Sequence, residues 1–156
     1  MKGGWPFWAF IGVLAGIHFA LHLSLGIQGS APDLLTIAVL LAARQVAGGR
    51  AAGVGFGLGL LEDAVSLGAF GAATVTQTVI GYLGARSRDL FVGDSAVFLG
   101  SYLFLGAWIQ DALYFSLAGG VRRGEPVEAL LLTAPLEAVY AAVAGLVAVV
   151  LYRTVR

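Results

Sequence analysis

The chain contains no cysteine and one methionine, and only 12% of its 156 residues are charged, against about 25% in an average soluble domain. The missing cysteines exclude disulfides, thiol chemistry and thiolate metal sites. Nine basic residues are matched by nine acidic ones, so there is no cationic surplus of the kind that attracts nucleic acid. What is abundant is hydrocarbon. Hydrophobic residues make up 59% of the chain beside 23 glycines, and mean hydropathy is +0.90. A globule this small leaves much of its surface exposed, so no water-soluble fold could hide that apolar area. A soluble enzyme, a disordered chain and a collagen-like fibre are all excluded on this ground. The composition predicts an all-α integral membrane protein, and the glycines fit because small residues let membrane helices approach closely.

A transmembrane helix needs about 20 mostly apolar residues. Phe7–Leu25, Ser95–Leu117 and Ala129–Tyr152 meet this, interrupted only by Gln110, Asp111 and Glu137; Phe70–Ala85 is shorter but unbroken. Leu34–Leu61 reads as one long helix or as two short ones broken at Gly48–Gly49–Arg50. The distribution of positive charge decides between them. With two helices the chain crosses six times, and Lys2, Arg44, Arg50, Arg86, Arg88, Arg153 and Arg156 lie inside with Arg122 and Arg123 outside, seven against two. With one helix there are five spans, Arg44 and Arg50 are buried, and the bias reverses. The expected architecture is therefore a single six-helix bundle with both termini cytoplasmic and spans near 7–25, 33–47, 50–65, 70–85, 95–117 and 129–152. Its second and third spans are short, with Arg44 snorkelling to the interface. Lys2, the apolar run and Gly29–Ser30–Ala31 imitate a signal peptide, but a run of about 19 residues exceeds the 7–15 of a typical leader, so it is read as a retained first helix. The longest loop, Ala118–Glu128, reads as a turn-rich outer connection.

Small residues recur every four positions: Gly12, Gly16 and Ala20 on the first helix, Gly53, Gly57 and Gly55, Gly59 on the third, Ala141 and Gly145 on the sixth. Such a stripe serves either packing inside the bundle or docking of another protein's helix. Gly12, Gly16, Ala20, Gly55 and Gly59 are the candidate helix-packing positions for a partner, the first helix being preferred. The alternating glycines from Gly53 to Gly59 lack the preceding strand that a nucleotide-binding loop requires.

Polar groups within the apolar spans are costly and so informative. His18 and His22 sit one turn apart on one face. Asp111 lies about 9 Å and Glu137 about 13 Å below the outer ends of their helices at 1.5 Å per residue. Gln77 and Gln110 lie at similar depth. If they converge, His18, His22, Gln77, Asp111 and Glu137 line a polar pocket opening outward, with a histidine paired to Asp111 or Glu137. A satisfied interhelical network, a site for a lipid headgroup or small ligand, and a proton path are the readings this leaves open. No metal site is assigned, because two histidines at this spacing lack the HExxH context. Pro135 is expected to free the Leu131 carbonyl and bend the sixth helix. Ser24, Ser30, Ser66 and Ser116 have no recognisable base, so no catalytic residue and no cofactor is assigned.

Pro32 suits a helix start, where its missing N–H is not needed, and Asp33 suits the positive helix end. Asp63 opposes the dipole at the outer end of the third helix. It is a solvated interface residue, a contact that fixes the Glu62–Phe70 turn, or a contact to a partner.

Pro32–Asp33–Leu34–Leu35, the run Gly53–Val54–Gly55–Phe56–Gly57–Leu58–Gly59–Leu60–Leu61–Glu62–Asp63, then Gly68, Gly71 and Gly81–Tyr82–Leu83 resemble the rod-shape-determining MreD family over about 50 residues. Glu62 departs from the family pattern, in which an apolar residue is commoner there. The resemblance implies a multi-pass protein of the bacterial inner membrane, a non-enzymatic scaffold of the cell-elongation machinery. Its partners would be the MreC transmembrane helix, RodA with its class B penicillin-binding protein, and MreB indirectly, with no nucleic acid. The family is similar in architecture to the six-helix substrate-binding subunits of energy-coupling-factor transporters, so a small-molecule-binding transporter subunit is the alternative.

Overall fold

A computed structural model of the chain describes residues 4–25, 32–66, 69–88, 95–119 and 129–155. Lys2, Gly29–Ser30–Ala31, Gly68, Asp89, Asp94, most of the Ala118–Glu128 loop (Arg122, Arg123, Glu125 and Glu128 included) and Arg156 lie outside the described residues. Within them the fold is all-helical: α1 Trp5–Leu25, α2 Leu34–Ala43, α3 Gly48–Val65, α4 Ala72–Ser87, α5 Ala96–Leu117 and α6 Ala134–Val155, the last preceded by a π-helical turn, Ala129–Thr133.

Neighbouring helices run antiparallel. Gly59 lies against Ala73, Gly55 against Gln77 and Gly81 against Ala51, so α3 and α4 pair head to tail. Gly100 meets Leu146 and Gly145 meets Leu103, which pairs α5 with α6 in the same sense. Phe7 and Phe10 at the start of α1 touch Tyr152 at the end of α6. At the centre is α2, whose ten residues are all buried and which packs against each of the other five helices. At 1.5 Å per residue α2 is only about 15 Å long, half of the roughly 30 Å hydrocarbon layer.

Two helical stretches, Ala96–Leu117 and Leu131–Val155, are long and apolar enough to cross a membrane, and only 33% of each is buried in the bundle. The core helix of a soluble protein would be mostly enclosed. Here the outward sides are themselves apolar: Phe56, Leu60 and Leu61 on α3, Phe98 and Ile109 on α5, Val143, Val147, Val150 and Leu151 on α6 are all exposed.

The break between the second and third helices falls at Arg44–Ala47, earlier than the expected Gly48–Gly49–Arg50, which instead forms the first turn of α3. Gly48 lies against the Tyr82 ring, where an added Cβ would come within 3.2 Å, and Arg44, the C-cap of α2, places its guanidinium over the Tyr102 ring, 5.4 Å from the centroid. Pro32 also stands two positions before its expected place at the first helical residue. Asp33 is the N-cap of α2 and α2 begins at Leu34. Near Pro135 the expected bend takes the form of the π-helical turn that ends at Thr133, a wider winding next to a residue that lacks the N–H and crowds the carbonyl four back.

Candidate functional site

Charge divides cleanly between the two ends of the bundle. Among the described residues every arginine lies at one end: Arg44, Arg50, Arg86, Arg88 and Arg153 flank the end of α2, the start of α3 and the ends of α4 and α6. Every described carboxylate, Asp33, Glu62, Asp63, Asp111 and Glu137, lies toward the other. His18 belongs to this acidic end, and a connected set of polar side chains forms there.

The set is built on the α3–α4 pair. Ala51, Gly55, Gly59 and Asp63 are the four buried residues of α3. They stand four apart and form one stripe facing α4. A Cβ on Gly59 would lie 2.6 Å from the Ala73 carbonyl oxygen, and one on Gly55 would overlap the Gln77 carbonyl. The helices therefore meet backbone to backbone, and Gly81 admits Ala51 in the same way. Asp63 ends this stripe where α4 starts. Its carboxylate accepts from the Ala73 N–H at 3.1 Å, the Thr74 N–H at 2.8 Å and the Thr74 hydroxyl. Helix N-termini present unpaired N–H groups and a positive dipole end. Asp63 supplies both the acceptor and the charge, although it lies on a different helix. Gly71, the residue before α4, has φ +93°, a left-handed conformation that glycine adopts without strain. Together they fix the α3–α4 turn.

Next to this cap lies a second group. Asp33 accepts from the Thr36 N–H at 3.0 Å, and His18 Nδ1 lies 3.7 Å from the same carboxylate. Gln77, fully buried on α4, donates through Nε2 to the Thr36 hydroxyl at 2.7 Å, and its amide lies near Glu62. The charge of Asp33 reaches both Glu62 and Asp111. Glu62 Oε2, Gln77 Oε1 and Gln110 Oε1 are buried and have no hydrogen-bond partner among the described residues. Helices α1 to α4 thus contribute to one acceptor-rich cluster, with Asp111 of α5 within its electrostatic reach.

Of the residues expected to converge, the structure brings His18 to Asp33 and Gln77 to Thr36 at the start of α2, while Asp111 lies within electrostatic reach of Asp33; the carboxylate beside His18 is Asp33, where Asp111 or Glu137 was the expected partner. Glu137 is exposed. The inward face of α6 is Ala134, Ala138, Ala141, Ala142, Gly145 and Val149, and Glu137 precedes Ala138 by one residue, about 100° around the helix. Its charge still acts on Asp111. The His22 side chain lies outside the described residues. Thr36 and Glu62 were not foreseen in the cluster. Thr36 had a signal, standing three residues after an Asp at a helix start, as a capped N–H does.

The small-residue stripes separate in the same way. Gly55 and Gly59, expected among the partner-binding positions, face α4 of the same chain. Gly12, Gly16 and Ala20 are exposed, and a Cβ at Gly12 or Gly16 would meet nothing within 4 Å. The inward side of α1 is Phe7, Ile11, Leu14, Ala15 and His18. No family model, curated protein or solved structure matches the chain.

Proposed function

We propose that the chain is a six-span protein of the bacterial cytoplasmic membrane, with its arginine-rich end and both termini inside. In this reading it is a non-enzymatic scaffold of the cell-elongation machinery that binds the MreC transmembrane helix and so positions the peptidoglycan synthase. The observation that carries the reading is the open stripe of Gly12, Gly16 and Ala20 on α1. In lipid, helices associate through close backbone approach at such stripes; on α3 the Gly55–Gly59 stripe is already occupied by α4, while Gly53 and Gly57 are open. The segregated arginines support the orientation, since cytoplasmic ends collect Lys and Arg. The resemblance of Pro32–Leu83 to the MreD family supplies the partner's identity.

Co-purification in detergent tests it. MreC is expected to accompany the wild-type chain and to be lost with Gly12→Leu/Gly16→Leu, while that variant keeps its helical content. Undiminished recovery of MreC with the double variant, or isolation of the chain alone at native expression, would remove the support for this reading.

The polar cluster favours a second reading, a small-molecule-binding subunit of a transporter, because Glu62 and Gln77 keep unused acceptors beside Asp33. A vitamin-sized ligand retained in native mass spectrometry and lost with Gln77→Leu would raise it above the scaffold.

A further inference from the structure

A groove of about 120 Å³ opens on the flank of the bundle between α4 and α5, on the arginine side of Gln77 and Gln110. Leu40 and Ile80 line it from within, Leu83, Leu105 and Ile109 line its sides, and Ser87 and Tyr102 lie at the arginine-rich end. Leu83 and Ile109 are exposed at its lip. The Tyr102 wall is fixed, because its hydroxyl donates to the Leu40 carbonyl oxygen at 2.9 Å. Two cations stand at this end. The Arg44 guanidinium lies over the Tyr102 ring, and its Nη1 is buried without an acceptor among the described residues. Arg88 follows Ser87, is held by donation from Nη1 to the Val46 carbonyl oxygen at 3.1 Å, and lies within electrostatic reach of the same tyrosine.

We infer that this groove holds one acyl chain of an anionic phospholipid, whose phosphate lies against Arg44 and Arg88. The inference rests on the membrane part of the reading above and is independent of the scaffold part. Charge selects the occupant: an apolar channel that ends at two arginines matches an amphiphile with a hydrocarbon tail and a negative head. Size excludes a helix, whose diameter with side chains is about 10–12 Å. The arginine end is also the end placed at the cytoplasmic face, where anionic headgroups lie.

The test uses the full chain in detergent micelles, offered phosphatidylglycerol or phosphatidylcholine and read by native mass spectrometry. Phosphatidylglycerol is expected to be retained in preference. Arg44→Gln and Arg88→Gln are each expected to reduce that retention about fivefold, the effect of one basic residue at an anionic surface. Ile109→Trp, or Leu83→Trp as a second variant, fills the lip and is expected to reduce retention of both lipids; both positions are exposed, and an unchanged circular dichroism spectrum verifies the fold. Equal retention of the two lipids, or retention indifferent to both tryptophans, overturns the inference, and a side chain of a partner protein becomes the occupant to seek. If neither lipid is retained by a chain that stays in membranes on alkaline carbonate extraction, the lipid site fails and the membrane reading stands. Release of the chain into the carbonate supernatant overturns both.

Discussion

Removing the Asp63 carboxylate is the sharpest perturbation of this bundle. Asp63 is 3% exposed and receives two backbone N–H groups and one hydroxyl from the start of α4. In Asp63→Ala both N–H groups lose their acceptor in a place that water reaches poorly. Each orphaned buried donor costs about 1–3 kcal/mol, and loss of a cap alone costs about 0.5–2 kcal/mol. The Thr74 hydroxyl can turn to another carbonyl, so its share is small. The expected loss is about 3–5 kcal/mol, which for a chain of this length lowers Tm by about 10 °C. Asp63→Asn keeps one acceptor oxygen but points an amide NH2 at the helix start, so about half of that loss is expected. Thermal unfolding followed by circular dichroism, in one detergent, measures all of these. Thr74→Val should lower Tm by less than either, and its effect should largely disappear in the Asp63→Ala background, because the two residues share one interaction. An Asp63→Ala protein that melts within about 2 °C of the parent refutes the capping argument, as does full additivity with Thr74→Val.

Two adjacent glycine stripes on α3 should behave in opposite ways. Gly55→Leu drives a side chain into the α4 backbone at Gln77 and should cost about 3 kcal/mol or prevent folding, whereas Gly53→Leu, with nothing within 4 Å, should leave Tm unchanged or slightly raised through better helix propensity. Equal effects at the two positions would contradict the packing of α3 on α4. Glu62 carries a half-buried carboxylate whose charge faces both Asp33 and Asp63; Glu62→Gln relieves that repulsion and should stabilise the bundle by about 1 kcal/mol, with a lower Tm arguing that the carboxylate has a cationic partner. Reporter domains fused after Arg50 and after Arg88 should be cytoplasmic, and one inserted at Ala69 should be external; any other pattern overturns the six-span orientation.

Hydropathy is a local, additive property, so the helices could be located from the sequence by summing over windows, and α5 and α6 fall close to their expected ranges. Burial is not local. The stretch around Leu34–Ala43 is as apolar as its neighbours, yet it is enclosed by five helices, and no window of sequence distinguishes a helix surrounded by protein from one surrounded by lipid when both environments are hydrocarbon. The polar cluster was half legible for the same reason. Depth along each helix follows from counting residues, which placed His18, Gln77 and Asp111 near one level. The rotation of each helix does not, which is why Glu137 shares that level but is exposed.

The glycine stripes show where pattern carries further than composition. Gly12–Gly16–Ala20 and Gly55–Gly59 have the same spacing, but one is open and the other closed, so spacing reveals that a helix can be approached closely and not by what. The sequence does distinguish them one step, four residues, later. Continued by four, the α3 stripe runs from Ala51 through Gly55 and Gly59 to Asp63, and a carboxylate at the end of a stripe must be satisfied by whatever the stripe faces. The next segment of chain, returning antiparallel after a short turn that includes Gly71, presents at that level a helix start with unpaired N–H groups. Continued by four, the α1 stripe ends at Ser24, which makes no such demand. A buried charge at the end of a small-residue face therefore marks the face as internal, and its absence on α1 is consistent with a stripe that serves a second chain.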